Sequence, residues 1–251
     1  MNLYGLIGYP LGHSFSKQYF TEKFVREGLS DCRFEAFPIS SIDQFTALIK
    51  EHKSLKGLSV TIPYKEQVLD FVTELSDEVK YIGATNSIKI IGEKLIAYNT
   101  DIIGFEQSFC KGLQDHHKKA LVLGTGGASK AVQYVLKKLA IDFLVVTRNE
   151  LLKAGQINYS MIDERIMNEY FIIINCTPVG MSPKEKACPD LPYQYIKSNH
   201  YLYDLVYKPE KTQFLQKGEQ GRAIIQNGYE MLLIQAEASW KIWNDSKLFL
   251  C

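Results

Sequence analysis

The feature that most constrains the fold is a glycine-rich loop, GTGGAS at residues 124–129, which stands between a β-rich run and a helical pattern. The run before it, residues 120–123, is apolar throughout. After the loop, apolar side chains recur at i, i+3, i+4, i+7, i+8 and i+11 over residues 128–139, the spacing of one buried helix face. A second β-rich run at residues 142–146 completes a unit of about 30 residues. The pattern predicts a strand, a helix and a parallel strand, the repeating unit of an α/β fold.

The same loop has the composition of a dinucleotide-binding turn. Glycine allows a tight turn and a close backbone approach, and the exposed N–H groups and dipole at a helix start attract a pyrophosphate. We therefore expect the coenzyme to contact Gly124, Thr125, Gly126, Gly127 and Ala128. Ser129 stands where the usual pattern has Gly or Ala, so a purely structural glycine turn stays an alternative. A Walker loop is excluded because its Gly-Lys-Ser/Thr ending is absent.

The end of the next strand indicates which dinucleotide is bound. A chain that binds NAD normally has an acidic residue there, which holds the ribose hydroxyls. Here the residues after Val146 are Thr147 and Arg148, and an arginine suits the 2′-phosphate of NADP. Glu150 could compete for Arg148, and a merely solvated arginine is the alternative. The sequence thus favours NADP over NAD.

Length and composition restrict the possible classes of function. The chain has 251 residues, of which 46% are hydrophobic and 23% charged, so it is globular, with one large or two small domains. With 29 Lys and Arg against 28 Asp and Glu, the net charge of +1 argues against a nucleic-acid partner. The longest apolar runs are far shorter than the roughly 20 residues of a membrane span, so we expect no membrane partner either.

The cysteines and the N-terminus indicate the compartment. The 5 cysteines stand far apart without the spacing of a zinc site, and the first residues enter a strand pattern without an export signal. We therefore expect a cytoplasmic protein with reduced thiols and no bound metal.

Outside the glycine-loop unit, β-rich runs alternate with helical patterns, for example at residues 33–37, 42–51 and 57–61. This alternation predicts mostly parallel sheets. The polar residues 111–119 are expected to be a surface connection between two domains. The last helix, predicted at about residues 229–243, has an apolar stripe interrupted by Gln235, whose side chain must therefore find a backbone partner or a polar ligand.

Several polar residues of the first half could carry chemistry, and each also has a plainer explanation. Ser14 and Ser16 follow a turn and could bind a carboxylate, although such pairs are common helix caps. Lys65 follows a strand that Pro63 ends, in the region where α/β sites collect, although most lysines are solvated. Asp101 is predicted at a helix start, where capping alone would explain it.

Taken together, the motifs of this chain resemble those of the shikimate dehydrogenase family, over nearly the whole length and in the same order. The motifs are GYP and HSFS within residues 8–16, SVTIPYK at 59–65, GATNSI at 83–88, NTD at 99–101 with Gly104, GTGGA at 124–128, NCTPVGM at 175–181, YDLVYKP at 203–209, and NG at 227–228 followed by Met231, Leu232, Gln235 and Ala236. No single motif carries the resemblance, but so many in order are unlike a chance match.

The resemblance implies a two-domain α/β fold. Residues 1–101 and 228–251 would form an α/β substrate domain, and residues 102–227 a Rossmann-like dinucleotide-binding domain, with the C-terminal helix returning to the first domain. The implied activity is the NADP-dependent, reversible reduction of 3-dehydroshikimate to shikimate, in the biosynthesis of chorismate and the aromatic amino acids. The implied partner is this small-molecule substrate, bound by a monomer or a homodimer.

The resemblance also implies a role for individual residues. Ser14 and Ser16 would hold the substrate carboxylate, and Lys65 would be the principal catalytic group, paired with Asp101. The residues around the substrate ring would be Thr61, Asn86, Asp101, Tyr207 and Gln235. The coenzyme would be bound by Gly124, Thr125, Gly126, Gly127, Ala128, Thr147, Arg148, Val206 and Gly228.

The sequence departs from the family pattern at several positions. Ser59 replaces a common Asn, Thr85 a frequent Val, and Ile102 a frequent Gly, changes expected to alter packing rather than chemistry. The coenzyme loop of the family usually reads Asn-Arg-Thr followed by another basic residue, whereas here it reads TRNE at residues 147–150, with Lys153 the next basic residue, so the coenzyme preference is less certain than the reaction.

Three other functions are possible. A quinate or dual quinate/shikimate dehydrogenase differs only by small changes near Ser16 and Thr61. A ligand-sensing homologue without turnover is disfavoured because Lys65 and Asp101 are both retained. A short-chain dehydrogenase gains apparent support from the Tyr and Lys pairs at 134/138 and 193/197, but such pairs arise by chance among 15 tyrosines.

Overall fold

A computed structural model describes residues 1–12 and 15–245. The chain divides into two compact units: Met1–Thr100 together with the segment from Ala236 onward, and Asp101–Gln235. Residues 111–119, which were expected to connect two domains, lie inside the second unit, because the helix before them already belongs to it. Which unit binds substrate and which binds coenzyme stays a prediction at this point.

The first unit is built on a mixed six-stranded sheet. Its elements are β1 (Asn2–Gly8), α1 (Phe15–Arg26), β2 (Cys32–Pro38), α2 (Gln44–Glu51), β3 (Leu55–Val60), β4 (Glu74–Leu75), α3 (Asp77–Ile82), β5 (Ser87–Ile91) and β6 (Lys94–Tyr98). The strand order is β2-β1-β3-β5-β6-β4. Strands β1, β2 and β3 are parallel, whereas β5 runs antiparallel to both β3 and β6. Sequence alternation predicted β2, α2 and β3 with ends shifted by a residue or two.

The two faces of this sheet have separate cores. On one face, alternate strand residues such as Leu58, Val60 and Ile88 pack with Phe45 of α2. The other face is covered by aromatic side chains of α1 and of the C-terminal helix, where Trp243 packs so closely on Gly57 that a Cβ there would collide with its ring. The part of this helix from Ala236 onward is therefore packed in the first unit's core.

The second unit has a parallel six-stranded sheet. Its elements are α4 (Asp101–Phe109), β7 (Lys119–Leu123), α5 (Gly127–Lys138), β8 (Asp142–Thr147), β9 (Gln156–Asn158), α6 (Glu164–Met167), β10 (Ile172–Asn175), β11 (Tyr201–Asp204), α7 (Gln213–Gln220), β12 (Ile224–Asn227) and α8 (Tyr229–Asn244), whose residues from Ala236 count with the first unit. The order is β12-β11-β10-β7-β8-β9, and every pairing is parallel. The strand, helix and strand predicted around the glycine loop are β7, α5 and β8.

This strand order indicates where a ligand site is expected. The chain moves outward from β7 to β8 and β9, then returns to the other side of β7 with β10. The carboxyl ends of β7 and β10 therefore form the point where the strand order reverses, which is where open α/β sheets bind ligands.

Within the described residues, no helix has the length and apolar character needed to cross a membrane.

Candidate active site

The glycine loop begins directly at the end of β7. Gly124 has φ of +102°, a conformation that L side chains rarely adopt, and its N–H donates to Val146 O at 2.9 Å. The Ser129 hydroxyl donates to Gly124 O at 2.7 Å and accepts from Gln133 Nε2 at 3.0 Å. The residue that made the sequence match imperfect therefore closes the loop with its own hydrogen bond.

The start of α5 fits a dinucleotide pyrophosphate. Gly126 is the N-cap in an extended conformation, and the first turn of the 12-residue helix contains no acidic side chain. The first N–H groups of a helix lack intrahelical acceptors and carry the positive end of the dipole. A Cβ at Gly126 would meet open space within the described part of the chain, so a phosphate can reach these N–H groups.

The loop after β8 presents the predicted ribose-side residues. Thr147 is buried, and its hydroxyl accepts from Asn149 N at 3.2 Å, which turns the chain just after the strand. Arg148 and Glu150 are both exposed. The Arg148 charge acts on Tyr159, whose pKa is raised by burial and lowered in part by that arginine. Arg148 therefore lies at the carboxyl edge of the sheet with its charge available to a ligand.

Two coenzyme residues predicted from separate motifs are joined by a hydrogen bond. Gly228 N donates to Val206 O at 3.4 Å, and Val206 N donates to the Asp204 carboxylate at 3.0 Å. A Cβ at Gly228 would collide with the carbonyl oxygen of Leu205, so only glycine permits this close approach. Tyr207 is half-buried, and burial raises the pKa of its phenol.

In the first unit, four segments meet at one edge of the sheet. Strands β1, β3 and β6 end there, and antiparallel β5 begins there. Thr61, just after β3, donates its N–H to Ile7 O at 2.9 Å, and its side chain fills the place that a Cβ at Gly8 would take. Gly8 and Thr61 both belong to motifs that carry the family resemblance, and Thr61 is a predicted substrate residue.

The segment that carries Lys65 is fixed on both sides. Tyr64 is buried, and its hydroxyl donates to Ile39 O at 2.7 Å. The Lys65 carbonyl accepts from Thr85 N at 2.8 Å. The Thr85 hydroxyl lies 2.6 Å from Tyr98 O, which ties the same segment to β6. The half-buried Lys65 side chain thus starts from a rigid backbone.

Asn86 is the centre of a buried hydrogen-bond network. Its Nδ2 donates to Thr100 Oγ1 at 2.9 Å, and its Oδ1 accepts from Thr100 N at 2.7 Å. Thr100 Oγ1 also lies 2.9 Å from Ser239 Oγ on the C-terminal helix. Asn86 therefore fixes the backbone at the end of β6, immediately before Asp101.

The remaining predicted substrate residues vary in what the structure describes. Asp101 is buried and is the first residue of α4, as the sequence predicted. Ser16 is half-buried in the first turn of α1, whereas Ser14 lies outside the described residues. Gln235 Nε2 donates to Leu232 O at 2.9 Å, the backbone partner that the sequence left open.

Four polar residues to which the sequence interpretation gave no role in a site help to shape these sites. They are Thr85, Asn175, Thr177 and Asp204. All four lie inside the quoted motifs, so the signal was present. Their roles depend on which strand ends are neighbours, and this order is not visible in the sequence.

Comparison with known proteins identifies the family. A family model described as the shikimate dehydrogenase substrate binding domain matches residues 6–88. A shikimate dehydrogenase (NADP(+)) from Caldicellulosiruptor saccharolyticus is 34% identical over an alignment of 254 residues. The alignment covers 96% of this chain and 91% of that protein. The chain belongs to the shikimate dehydrogenase family.

Solved structures of shikimate dehydrogenases agree with this assignment. The enzyme from Thermus thermophilus, in complex with NADP(H) and shikimate, aligns with a TM-score of 0.86 at 27% identity, covering 97% of this chain and 94% of that one. Shikimate dehydrogenase 1 from Peptoclostridium difficile aligns with a TM-score of 0.83 at 35% identity, covering 99% and 93%. The predicted α/β fold with a Rossmann-like second half is thus confirmed.

Proposed function

We propose that this protein is an NADP-dependent shikimate dehydrogenase, which reversibly reduces 3-dehydroshikimate to shikimate in the pathway to the aromatic amino acids. The observation that carries the proposal is the whole-chain match to a family member of that name and coenzyme. It agrees with the pyrophosphate cradle at the start of α5 and with the family segment 6–88, which contains Lys65.

We assign the substrate to residues that the family motifs mark. Ser14 and Ser16 bind the carboxylate through neutral hydroxyls. The ring hydroxyls and the reacting carbonyl are bound by Thr61, Asn86, Asp101, Tyr207 and Gln235. The network from Asn86 through Thr100 to Ser239 supports this assignment, because it holds Asn86 in one orientation.

The chemistry requires a proton donor beside the reacting oxygen. When bound, NADPH supplies the hydride. Hydride addition to the ketone builds negative charge on its oxygen, and the Lys65 ammonium stabilises that charge and donates the proton. Asp101 binds a substrate hydroxyl and balances the lysine charge. In the reverse direction Lys65 accepts the proton from the alcohol.

We assign the coenzyme to the second unit. The loop from Gly124 to Ala128 binds the pyrophosphate, Thr147 and Arg148 bind the phosphorylated ribose, and Val206 and Gly228 line the rest of the site. Arg148 provides the fixed positive charge that favours NADP over NAD. We also infer a cytoplasmic enzyme, because the four described cysteines are free thiols. A monomer or a homodimer is the oligomeric state that the family resemblance implies.

Initial rates test this function directly. Purified protein is assayed for reduced nicotinamide formation with shikimate or quinate, each combined with NADP or NAD. We expect turnover with shikimate and NADP. A preference for quinate would select the quinate dehydrogenase alternative, and binding of shikimate without turnover under any pair would select a sensing protein.

The variant Lys65→Ala tests the mechanism. We expect kcat to fall by about 10² or more, because a general acid contributes about 10²- to 10⁴-fold, while the KM values for shikimate and NADP change little. Lys80→Ala is the matched control, since that lysine is exposed and forms a surface ion pair with Asp77. Unchanged turnover in Lys65→Ala would rule out the assigned role.

A further inference from the structure

Three parallel strands of the second unit end side by side on polar residues. The register pairs Asn175 at the end of β10 with Asp204 at the end of β11, and Asp204 with Asn227 at the end of β12. Asn175 and Asp204 are both fully buried. A buried carboxylate is costly unless hydrogen bonds satisfy it, so its presence at the carboxyl edge of this sheet calls for an explanation.

Both oxygens of Asp204 accept hydrogen bonds from donors in separate segments. Oδ1 accepts from Asn175 Nδ2 at 2.9 Å and from Val206 N at 3.0 Å, and Oδ2 accepts from Thr212 Oγ1 at 2.5 Å. Thr212 in turn caps α7, because its hydroxyl accepts from Leu215 N. The carboxylate thus joins β10, the loop after β11 and the start of α7.

The same network extends to the glycine loop. Asn175 Oδ1 accepts from Thr177 N at 3.1 Å and from Thr177 Oγ1 at 2.6 Å. The Thr177 methyl group lies against Gly124, where a Cβ would approach it to 3.0 Å. On the other side, Val206 O accepts from Gly228 N. Asp204 therefore connects, through one or two hydrogen bonds, segments that flank the proposed coenzyme site from both sides.

Burial raises the pKa of Asp204 to about 6, although all three hydrogen bonds favour the charged form. The titratable groups on which its charge acts are Cys176 and Tyr193, and it raises the pKa of each. An apolar residue of similar volume would avoid this cost. The carboxylate is thus better explained by the loops that it holds than by core packing.

We propose that Asp204 is a positioning residue for the coenzyme: its carboxylate holds the loops that carry Thr177, Val206 and Gly228 in the conformation that binds NADP. This inference rests on the proposed function, since it takes the coenzyme to bind at this edge of the sheet. Asp204 is proposed to contact neither substrate nor coenzyme. Loss of its carboxylate should therefore act on coenzyme affinity and leave the substrate residues of the first unit unchanged.

The test compares Asp204→Ala, Asp204→Asn and the control Asp163→Ala. For Asp204→Ala we expect the KM for NADP to rise about tenfold or more, the effect of one or two lost hydrogen bonds. The KM for shikimate should rise much less, because among the proposed substrate residues only Tyr207 lies in a loop that Asp204 holds. Asp204→Asn recovers most of the affinity, because the amide oxygen still accepts from Val206 N and Asn175 Nδ2. Asp163→Ala removes only the cap of α6, in the same unit, and lowers the melting temperature without changing either KM.

Titration of wild type and variants with NADPH, followed by fluorescence, separates the two proposals. Wild-type protein that neither turns over shikimate nor binds NADPH overturns both. Normal wild-type activity with an unchanged NADP KM in Asp204→Ala overturns the positioning role alone, as does a parallel rise of both KM values. If Asp204→Ala does not fold, Thr212→Val takes its place, because it removes the hydroxyl that donates to Asp204, and Thr212→Ser, which keeps the hydroxyl, is its control. Equal KM values for NADP in these two variants would overturn the proposal.

Discussion

Adding one methyl group at Gly124 or at Gly126 separates the folding and binding roles of the glycine loop. Gly126 has φ of −76°, which any residue adopts, and its Cβ would meet open space among the described residues. Gly126→Ala should therefore leave stability unchanged or raise it by about 0.4–1 kcal/mol through the unfolded chain. The methyl group would, however, stand in front of the N–H groups at the start of α5.

The cost to coenzyme binding follows from the bonds that the methyl group blocks. Losing one or two hydrogen bonds from N–H groups to a charged phosphate costs about 1.5–3 kcal/mol each, so even a single loss raises the KM for NADP at least about tenfold. Gly126→Ala is thus expected to be a stable protein that binds NADP poorly.

Gly124→Ala is expected to behave in the opposite way. At φ of +102° an L residue costs about 1–3 kcal/mol, and the new Cβ would lie 3.0 Å from the Thr177 methyl group. For a chain of this size, a loss of about 2–3 kcal/mol lowers the melting temperature by about 4–12 °C.

Thermal melting and initial rates at saturating shikimate measure both effects on the same samples. Gly126→Ala should keep the wild-type melting temperature and lose NADP affinity, and Gly124→Ala should lose stability first. If Gly126→Ala kept its NADP KM, the assignment of a phosphate to this helix start would be wrong. If it lost as much stability as Gly124→Ala, the separation of the folding role from the binding role would be wrong.

Two further outcomes follow from the buried polar groups. Burial lowers the pKa of His117 and His200 below the ordinary 6.5, so the stability that their neutral forms contribute is present above that pH and is lost as the pH falls. The raised pKa of Asp204 has the opposite effect, because the stability contributed by its protonated form is lost as the pH rises. Urea unfolding between about pH 7.5 and 5.5 should therefore show the loss of stability at low pH most clearly in Asp204→Asn. Thr100→Val keeps the volume but removes the hydroxyl beside Asn86, so we expect a loss of about 1–3 kcal/mol on unfolding and a higher KM for shikimate with an unchanged KM for NADP.

Local pattern was sufficient to predict the glycine-loop unit. Residues 128–139 repeat with a helical period and are flanked by two apolar runs, and the structure has α5 between β7 and β8 there. Because the turn, the helix dipole and the parallel pairing all follow from these neighbours in sequence, the glycine turn at the helix start could be predicted as well, whereas pyrophosphate binding there stays a prediction. The role of Ser129 was not predicted, because its hydrogen bond to Gly124 O is a property of the folded turn.

Contacts between strand ends could not be predicted in the same way. Asp204 lies 29 residues from its partner Asn175, and Asn86 lies 153 residues from Ser239, which completes its network through Thr100. Such contacts depend on strand order and register, which a single sequence does not contain. The motifs marked Asp204 as part of a matching segment, but only the order β12-β11-β10-β7 shows that its carboxylate faces donors from neighbouring strands.

The antiparallel strand β5 is the element that brings the residues of the first unit's candidate site together. Residues of β1, β3 and β6 reach the site from strand ends, as in a parallel sheet, but Asn86 reaches it from the start of β5. A parallel β5 of 5 residues would place Asn86 about 16 Å away, at the opposite edge, because each strand residue rises about 3.3 Å. The bond between Val60 N and Asn86 O at 2.8 Å instead holds Asn86 next to the end of β3, which Thr61 and Lys65 follow. Reversing one strand therefore brings the motifs at residues 59–65, 83–88 and 99–101 to one edge of one sheet, although each of them is separate in the sequence.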